Sequence, residues 1–300
     1  MSTLAEKLVD AWIKRDLIQL KSDELPKNRE DSHAIQKQFH AVLKKKTVGW
    51  KIGLVSKNLQ DGAKVNGPMI GKIIDETVLM NPSKIEYSKV PDCILECEFC
   101  LKFLEDTKMI PGAENKTGNY EAYIALELVS TRVHSDSKKG LDPVGMMNLN
   151  IADNGGAGAI VVGDKIQNLD KIDLDKIQVE INLNGKVTEP FFKGEKRAGP
   201  KLAIKCIIDE FKDDPVTFKK GDWFMTGSVI QPFKVNKGDK LKVDFRSLGK
   251  INLDFILYFL IKVLLNLKID FICFRLNLIY LFSCPELLIS IPIEFLFKDL

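Results

Sequence analysis

Pro91-Asp92-Cys93-Ile94-Leu95-Glu96-Cys97-Glu98-Phe99-Cys100-Leu101-Lys102-Phe103 is the stretch on which the fold turns. Leu95, Cys97 and Phe99 fall on one side and Glu96, Glu98 and Cys100 on the other, which is the period of two of a β-strand. Residues i and i+2 of a strand share a face, so the two carboxylates project side by side. Two like charges that close are unfavourable unless something positive lies between them. Two readings follow. Either the pair sits on the solvent face of an edge strand, or a divalent cation bridges it; hard cations such as Mg²⁺ take carboxylate oxygens and keep waters that a substrate can displace. Cys97-Glu98-Phe99-Cys100 is formally CxxC, but no second ligand pair follows at zinc-site spacing. It reads as two structural thiols.

Upstream of this strand, Thr3-Leu4-Ala5-Glu6 fits a capping box, and Leu4, Leu8, Val9 and Trp12 make one apolar helical stripe. A second helix is expected from about Asp31/Ser32, with Ile35, Phe39, Val42 and Leu43 facing inward, ending in Lys44-Lys45-Lys46, which suits a helix C-terminus. Val48 to Leu54 reads as a strand and Ile70 to Leu79 as a further extended stretch. Downstream, Glu121 to Val133 fits helix or strand equally. A Gly-rich turn between Ile151 and Gly163 leads into the strand Ala159-Ile160-Val161-Val162. Asn184-Gly185 joins Val179–Leu183 to Lys186-Val187 as a hairpin. Ala203 to Phe211 is a short helix, and Gly221 to Phe255 a last set of strands.

The composition is that of a globular protein: 45% hydrophobic, 28% charged, and a net charge of +3 over 300 residues, without the basic stripe of a nucleic-acid binder. Six irregularly spaced cysteines suit reduced thiols rather than a disulfide framework. Glu6, Lys7, Asp10 and Lys14 leave no apolar core for a secretory leader, so a cytoplasmic location is expected. His33, His40 and His134 lack ligand or triad company and read as structural or surface residues. Gly155, Gly156 and Gly158 resemble part of a dinucleotide loop, but the full fingerprint is missing.

The body of the chain, residues 1–255 with a helical part over 1–47, differs from residues 256–300, which contain no Ala, Gly or Thr. Lys262, Lys268, Asp270, Arg275 and Glu286 break that tail below the ~18–20 apolar residues a membrane span requires. Its residue types are those of AT-rich codons. The expectation is translated non-coding sequence, with a membrane hairpin as the competing reading; transcript mapping that keeps these codons in a spliced frame would overturn the first.

A third acid, Glu127, stands between apolar residues in Ala125-Leu126-Glu127-Leu128-Val129, and Lys51 likewise in Trp50-Lys51-Ile52-Gly53. Each is either an outward-facing surface residue or a buried charge that needs a partner. Gly49-Trp50-Lys51-Ile52-Gly53-Leu54, the Glu96-x-Glu98 pair, Ala125 to Val129, Ala152-Asp153-Asn154, and Gly221-Asp222 through Met225-Thr226-Gly227 occur in one order. Together they resemble the 2-oxopent-4-enoate (2-hydroxypenta-2,4-dienoate) hydratase and 4-oxalocrotonate decarboxylase family, within the fumarylacetoacetate hydrolase superfamily. The resemblance spans approximately residues 3–255.

What the resemblance implies is an α+β fold, a helical N-terminal region followed by a mixed β-roll, with an Mg²⁺ or Mn²⁺ site. The implied metal ligands are Glu96, Glu98 and Glu127. Lys51 matches the active-site lysine, and Asp75 and Glu76 an acidic pair near the substrate; where the family carries a pocket serine, the backbone N–H groups of the Gly155-Gly156 turn are expected to contact the substrate carboxylate instead. The implied activity is a hydro-lyase that adds water to 2-hydroxypenta-2,4-dienoate-like 2-oxo acids. The alternatives are decarboxylation of 2-oxo-3-hexenedioate, or a non-catalytic scaffold. A 2-oxo acid can chelate a cation through its C1 carboxylate and C2 oxygen, and the cation then stabilises the enolate common to both reactions. A lysine beside that cation has its pKa lowered and can shuttle protons. A homo-oligomer is implied, as is a complex with a paralogous decarboxylase. Two departures stand out: Gly156 replaces a pocket serine of the family, and Ala198-Gly199-Pro200-Lys201-Leu202 replaces a Gly-His-Pro-Leu-like segment.

Overall fold

Thr3 and Glu6 close the expected capping box on helix α1 (Leu4–Lys14): Glu6 N–H donates to Thr3 Oγ1, and Thr3 N–H to Glu6 Oε2 at 2.8 Å. Such a cap contributes about 1 kcal/mol. The second helix, α2 (Arg29–Leu43), begins a few residues earlier than the apolar stripe suggests, because Asn28 supplies the cap by accepting from Asp31 N–H at 2.9 Å. Lys44, left-handed at φ 53°, ends it. The computed structural model describes residues 2–115, 119–188 and 197–256. The tail expected from residue 256 onward therefore lies, but for Ile256, outside the described residues.

Strand β1 (Thr47–Gly53) is followed by the short helix α3 (Lys57–Gly62), then β2 (Met69–Ile74), β3 (Val78–Met80) and β4 (Lys84–Glu86). The decisive stretch forms β5 (Ile94–Phe103), with β6 (Thr107–Lys108) after it. The ambiguous segment resolves as strand β7 (Tyr120–Val129). Next come α4 (Pro143–Ala152) and β8 (Ala157–Lys165), then the hairpin β9 (Glu180–Leu183) and β10 (Lys186–Thr188), with Asn184 and Gly185 both at positive φ. Helix α5 (Pro200–Glu210) precedes β11 (Thr217–Phe218), β12 (Trp223–Met225), β13 (Phe233–Lys234), β14 (Lys240–Asp244) and β15 (Lys250–Ile256).

A mixed sheet runs β2-β1-β12-β5-β7-β8-β3, with β13 also on β5, and a second sheet runs β10-β9-β14-β15-β4. The main core, which includes Phe99, Leu126, Phe245 and Ile251, joins residues of both sheets, and Phe99 and Phe245 rings lie 6.1 Å apart. A second cluster unites Leu8 and Trp12 with Phe39, Leu43, Ile74 and Leu149. Strand β5 is thus no edge. It pairs with β7 from Ile94↔Val129 to Phe103↔Tyr120 and with β12 on its other side. Both of its faces are covered, and the solvent-face reading of Glu96 and Glu98 fails for that reason.

Candidate metal and active site

The antiparallel register of β5 and β7 sets Glu96 directly opposite Glu127 and Glu98 opposite Ala125. Directly paired residues and those two along share a face, so all three carboxylates leave the sheet on one side, whereas Leu95, Cys97, Phe99 and Leu126 enter the main core on the other. One carboxylate oxygen from each of Glu96, Glu98 and Glu127 can be chosen so that all lie within 4.8 Å of one another. Cys97 and Cys100 lie in different apolar clusters as free thiols, as opposite faces of one strand require.

Glu98 is 0% and Glu127 1% exposed, while Glu96 reaches a cavity wall and is partly exposed. Gly227 N–H donates to Glu98 Oε2 at 2.9 Å. Glu98 Oε1 and Glu127 Oε2 are buried without a hydrogen-bond donor, while Glu127 Oε1 has the Lys51 ammonium beside it. Burial, followed by the charges of Glu127 and Glu96, pushes the Glu98 pKa well above the carboxylate range. Burial and Glu127 raise Glu96 too, against the pull of Lys51. Unpaired buried carboxylate oxygens cost several kcal/mol unless a cation meets them. Three hard oxygen donors on one face are the donor set that Mg²⁺ takes, so the residues fit such an ion.

Lys51, 1% exposed, points into this cluster from β1, its Nζ 3.0 Å from Glu127 Oε1. Burial alone would depress its pKa, but Glu127, Glu96 and Glu98 outweigh that and raise it. The carboxylates thus act on the lysine in the opposite sense to the cation considered from the sequence.

Asp75 and Glu76 are not brought to the cluster. They follow β2 on a turn whose acids pair with Lys46 (3.3 Å) and Lys45 (2.8 Å), and their side chains are 55% and 45% exposed. Strand register explains the separation: Lys51 pairs with Gly71, and Asp75 is four residues further on, roughly 13 Å at ~3.3 Å per residue. These acids and the basic end of α2 satisfy each other.

The turn Asn154–Gly156 supports the site from behind. A Cβ on Gly155 (φ +64°) would stand 3.1 Å from Lys51 Cε and from the Ile70 carbonyl oxygen, so glycine lets the turn close on the lysine stem. Gly156 N–H donates to the Asp153 carbonyl at 2.9 Å, so it is directed into the turn rather than toward the cavity. Neither glycine lines that cavity. Gly156→Ser, which restores the family's residue type, meets φ +68° and Val129 Cγ1 at 3.0 Å. It is expected to lower stability by about 1–2 kcal/mol in urea unfolding.

Asp153 and Asn154 hold the turn. Asp153 accepts from Arg132 Nε at 2.5 Å and from Arg132 N–H at 2.8 Å. Asn154 Oδ1 accepts Lys72 N–H at 2.8 Å, and its amide donates back to the Lys72 carbonyl at 2.9 Å. The same Oδ1 is 2.9 Å from His40 Nε2, which must therefore donate, leaving the buried Nδ1 unprotonated and without a partner. Burial lowers the His40 pKa from 6.5 to about 4. Below pH 6.5 the unfolded chain takes up a proton that the fold refuses until about pH 4. Stability is therefore full above that window and falls by up to ~3 kcal/mol as pH drops through it. His40→Gln is expected to flatten this slope, as read by urea unfolding at pH 7 and pH 4.5.

A cavity of about 390 Å³ opens over Glu96. Leu54, Val55, Leu59, Met69, Met146 and Met147 form much of its wall. The sequence reading missed these residues, since apolar cavity walls look like core. Helix α4, which carries Met146 and Met147, does have a legible start: Asp142 caps Gly145 N–H at 2.7 Å and Pro143 opens the helix.

No family model matches the chain. It is 25% identical over 264 residues to a 2-oxo-hept-4-ene-1,7-dioate hydratase of Escherichia coli, covering 84% of this chain and 97% of that protein. It is 22% identical over 257 residues to a 4-oxalocrotonate decarboxylase of Pseudomonas putida, with 84% and 96% covered. The solved 4-oxalocrotonate decarboxylase from Pseudomonas putida G7, complexed with magnesium and adipate, superposes with a TM-score of 0.72 at 20% identity, over 84% of this chain and 96% of that one. Across most of its length, then, the chain is similar in sequence to the 2-oxopent-4-enoate hydratase and 4-oxalocrotonate decarboxylase family that its motifs resemble, and it shares the decarboxylase fold.

Proposed function

We propose that this chain is a metal-dependent hydro-lyase that adds water to 2-hydroxypenta-2,4-dienoate-like 2-oxo acids, on a mixed β-roll of the fumarylacetoacetate hydrolase type. The observation that carries this reading is the one-sided glutamate triad, in which Glu98 Oε1 and Glu127 Oε2 are buried without a donor. Glu96, Glu98 and Glu127 would hold Mg²⁺ or Mn²⁺. The bound ion would supply Lewis acidity at the oxygen that gains charge when a 2-oxo acid enolises, worth several kcal/mol. Gly227 N–H fixes one Glu98 oxygen and leaves the other for the ion. Lys51 holds a proton at Nζ beside the carboxylates, and the role assigned to it here is to hand that proton to the substrate chain. Gly155 acts by packing on that lysine stem. Relatives of this kind motivate self-association and pairing with a paralogous decarboxylase, and a cytoplasmic setting; no helix among the described residues is long and apolar enough to cross a membrane.

The test is loss of diene absorbance when the protein meets 2-hydroxypenta-2,4-dienoate with Mg²⁺, abolished by a chelator. A melting temperature that stays flat across millimolar Mg²⁺ would instead mark a non-catalytic relative. The fold shared with the decarboxylase motivates a second reading, decarboxylation of 2-oxo-3-hexenedioate, for which CO₂ release is the readout.

A further inference from the structure

We infer that Arg132 is a positioning residue for Lys51, because it ties the Asn154–Gly156 turn that holds the lysine stem to the strand that carries Glu127; this rests on the reading of Lys51 as the group that hands a proton to the substrate. Arg132 lies just past the end of β7 and is 5% exposed, and Asp153, which closes α4, is 1% exposed. The guanidinium bridges the turn from end to end. Ahead of the turn, Nε donates to Asp153 Oδ1 at 2.5 Å and Nη2 to the Asp153 carbonyl. Behind it, Nη1 donates to the Ala157 carbonyl at 2.8 Å. Arg132 N–H donates to Asp153 Oδ2 at 2.8 Å, and the Thr131 hydroxyl donates to the same oxygen at 3.0 Å while accepting from Lys138 Nζ at 3.0 Å. Ser130 N–H donates to the Gly156 carbonyl at 2.8 Å, so Ser130, Thr131 and Arg132 bind the turn in succession.

Asn154, Gly155 and Gly156 follow one another at φ 52°, 64° and 68°. A left-handed run is unfavourable for Asn154 and only one of many options for the glycines, so it persists where its surroundings fix it. Arg132 fixes it on the β7 side, and the Asn154 side chain fixes it on the β2 side through Lys72. Between these anchors the turn fills the space beside the lysine stem. A Cβ on Gly155 would stand 3.1 Å from Lys51 Cε, and one on Gly71, which pairs with Lys51, only 2.2 Å from the Asn154 carbonyl oxygen. Glu127, whose Oε1 is 3.0 Å from Lys51 Nζ, precedes Arg132 on the same stretch of chain. Arg132 is not among the residues lining the cavity over Glu96, so its effect runs through the lysine. Arg132→Lys keeps a charge beside Asp153 but loses the planar fork that also reaches the Ala157 carbonyl.

Arg132→Lys in the full chain is expected to lower kcat for the diene at least about tenfold while KM stays within about twofold. Its Mg²⁺-induced rise in melting temperature should be kept, since the strand ladder holds the carboxylates. A double-mutant cycle with Lys51→Met, read by urea unfolding of the metal-free protein, tests the same coupling without turnover. The unfolding constant of the double variant should differ at least about fivefold from the product of the single effects, because the clamp has less to hold once the lysine is gone. Arg132→Met with Asp153→Leu, which removes both buried charges together, takes the place of Arg132→Lys in both arms if that variant does not fold. Single effects that multiply to within about twofold would overturn the inference. So would an unchanged kcat, or a loss of kcat matched by loss of the Mg²⁺ response. If the unaltered protein neither turns over the diene nor responds to Mg²⁺, the proposed function fails, and the cycle alone decides whether Arg132 acts on the lysine.

Discussion

Glu127→Gln is expected to abolish the Mg²⁺-induced rise in melting temperature and to lower turnover at least ~10³-fold. The amide keeps the shape of the side chain but removes one of three converging charges. A hard divalent ion is held by anionic oxygen, so the amide is a poor replacement. Loss of several kcal/mol of charge stabilisation corresponds to a thousandfold or more in rate at 1.36 kcal/mol per decade. Stability without metal is pulled two ways, since Glu98 loses a repelling neighbour while Lys51 loses its partner at 3.0 Å. Differential scanning fluorimetry with and without Mg²⁺, followed by the diene assay, checks both halves. A variant that still responds fully to Mg²⁺ would place the ion elsewhere.

Lys51→Met is the complementary experiment. It leaves Glu96, Glu98 and Glu127 without the buried cation that now lies 3.0 Å from Glu127 Oε1. Removing one partner of a buried ion pair typically costs 3–5 kcal/mol, because the other charge is left uncompensated. The metal-free variant should therefore unfold at lower urea by roughly that amount, and Mg²⁺ should recover much of the loss by replacing the missing positive charge. Turnover should remain low even in the recovered protein, because no proton is then held at that position. Equal destabilisation with and without Mg²⁺ would separate the lysine from the triad energetically.

The parts of the fold that announced themselves in the sequence did so through local chemistry. Thr3 and Glu6 formed their cap, Asn184-Gly185 turned its hairpin, and the alternation from Leu95 to Cys100 was a strand. Glu127 was harder, because β7 is covered on both faces and its apolar residues run on without alternating. Helix α4 hid for a related reason: with Met147, Leu149, Ile151 and Ala152 all buried, it carries no single apolar stripe. Asp75 and Glu76 show the limit of a linear motif. They fall where the resembled family carries an acidic pair, but β2 runs antiparallel to β1 and carries them away from Lys51. His40 looked like a lone histidine, since the Asn154 that engages it is more than a hundred positions distant.

Three acids fixed by the ladder between two long inner strands cannot drift without breaking that ladder, so their chemistry is inherited almost as backbone. The surrounding wall is drawn instead from a strand end, a six-residue helix and the face of α4, each free to change one side chain at a time. Side chains of that wall can therefore be exchanged singly without disturbing the ladder that aligns the three carboxylates.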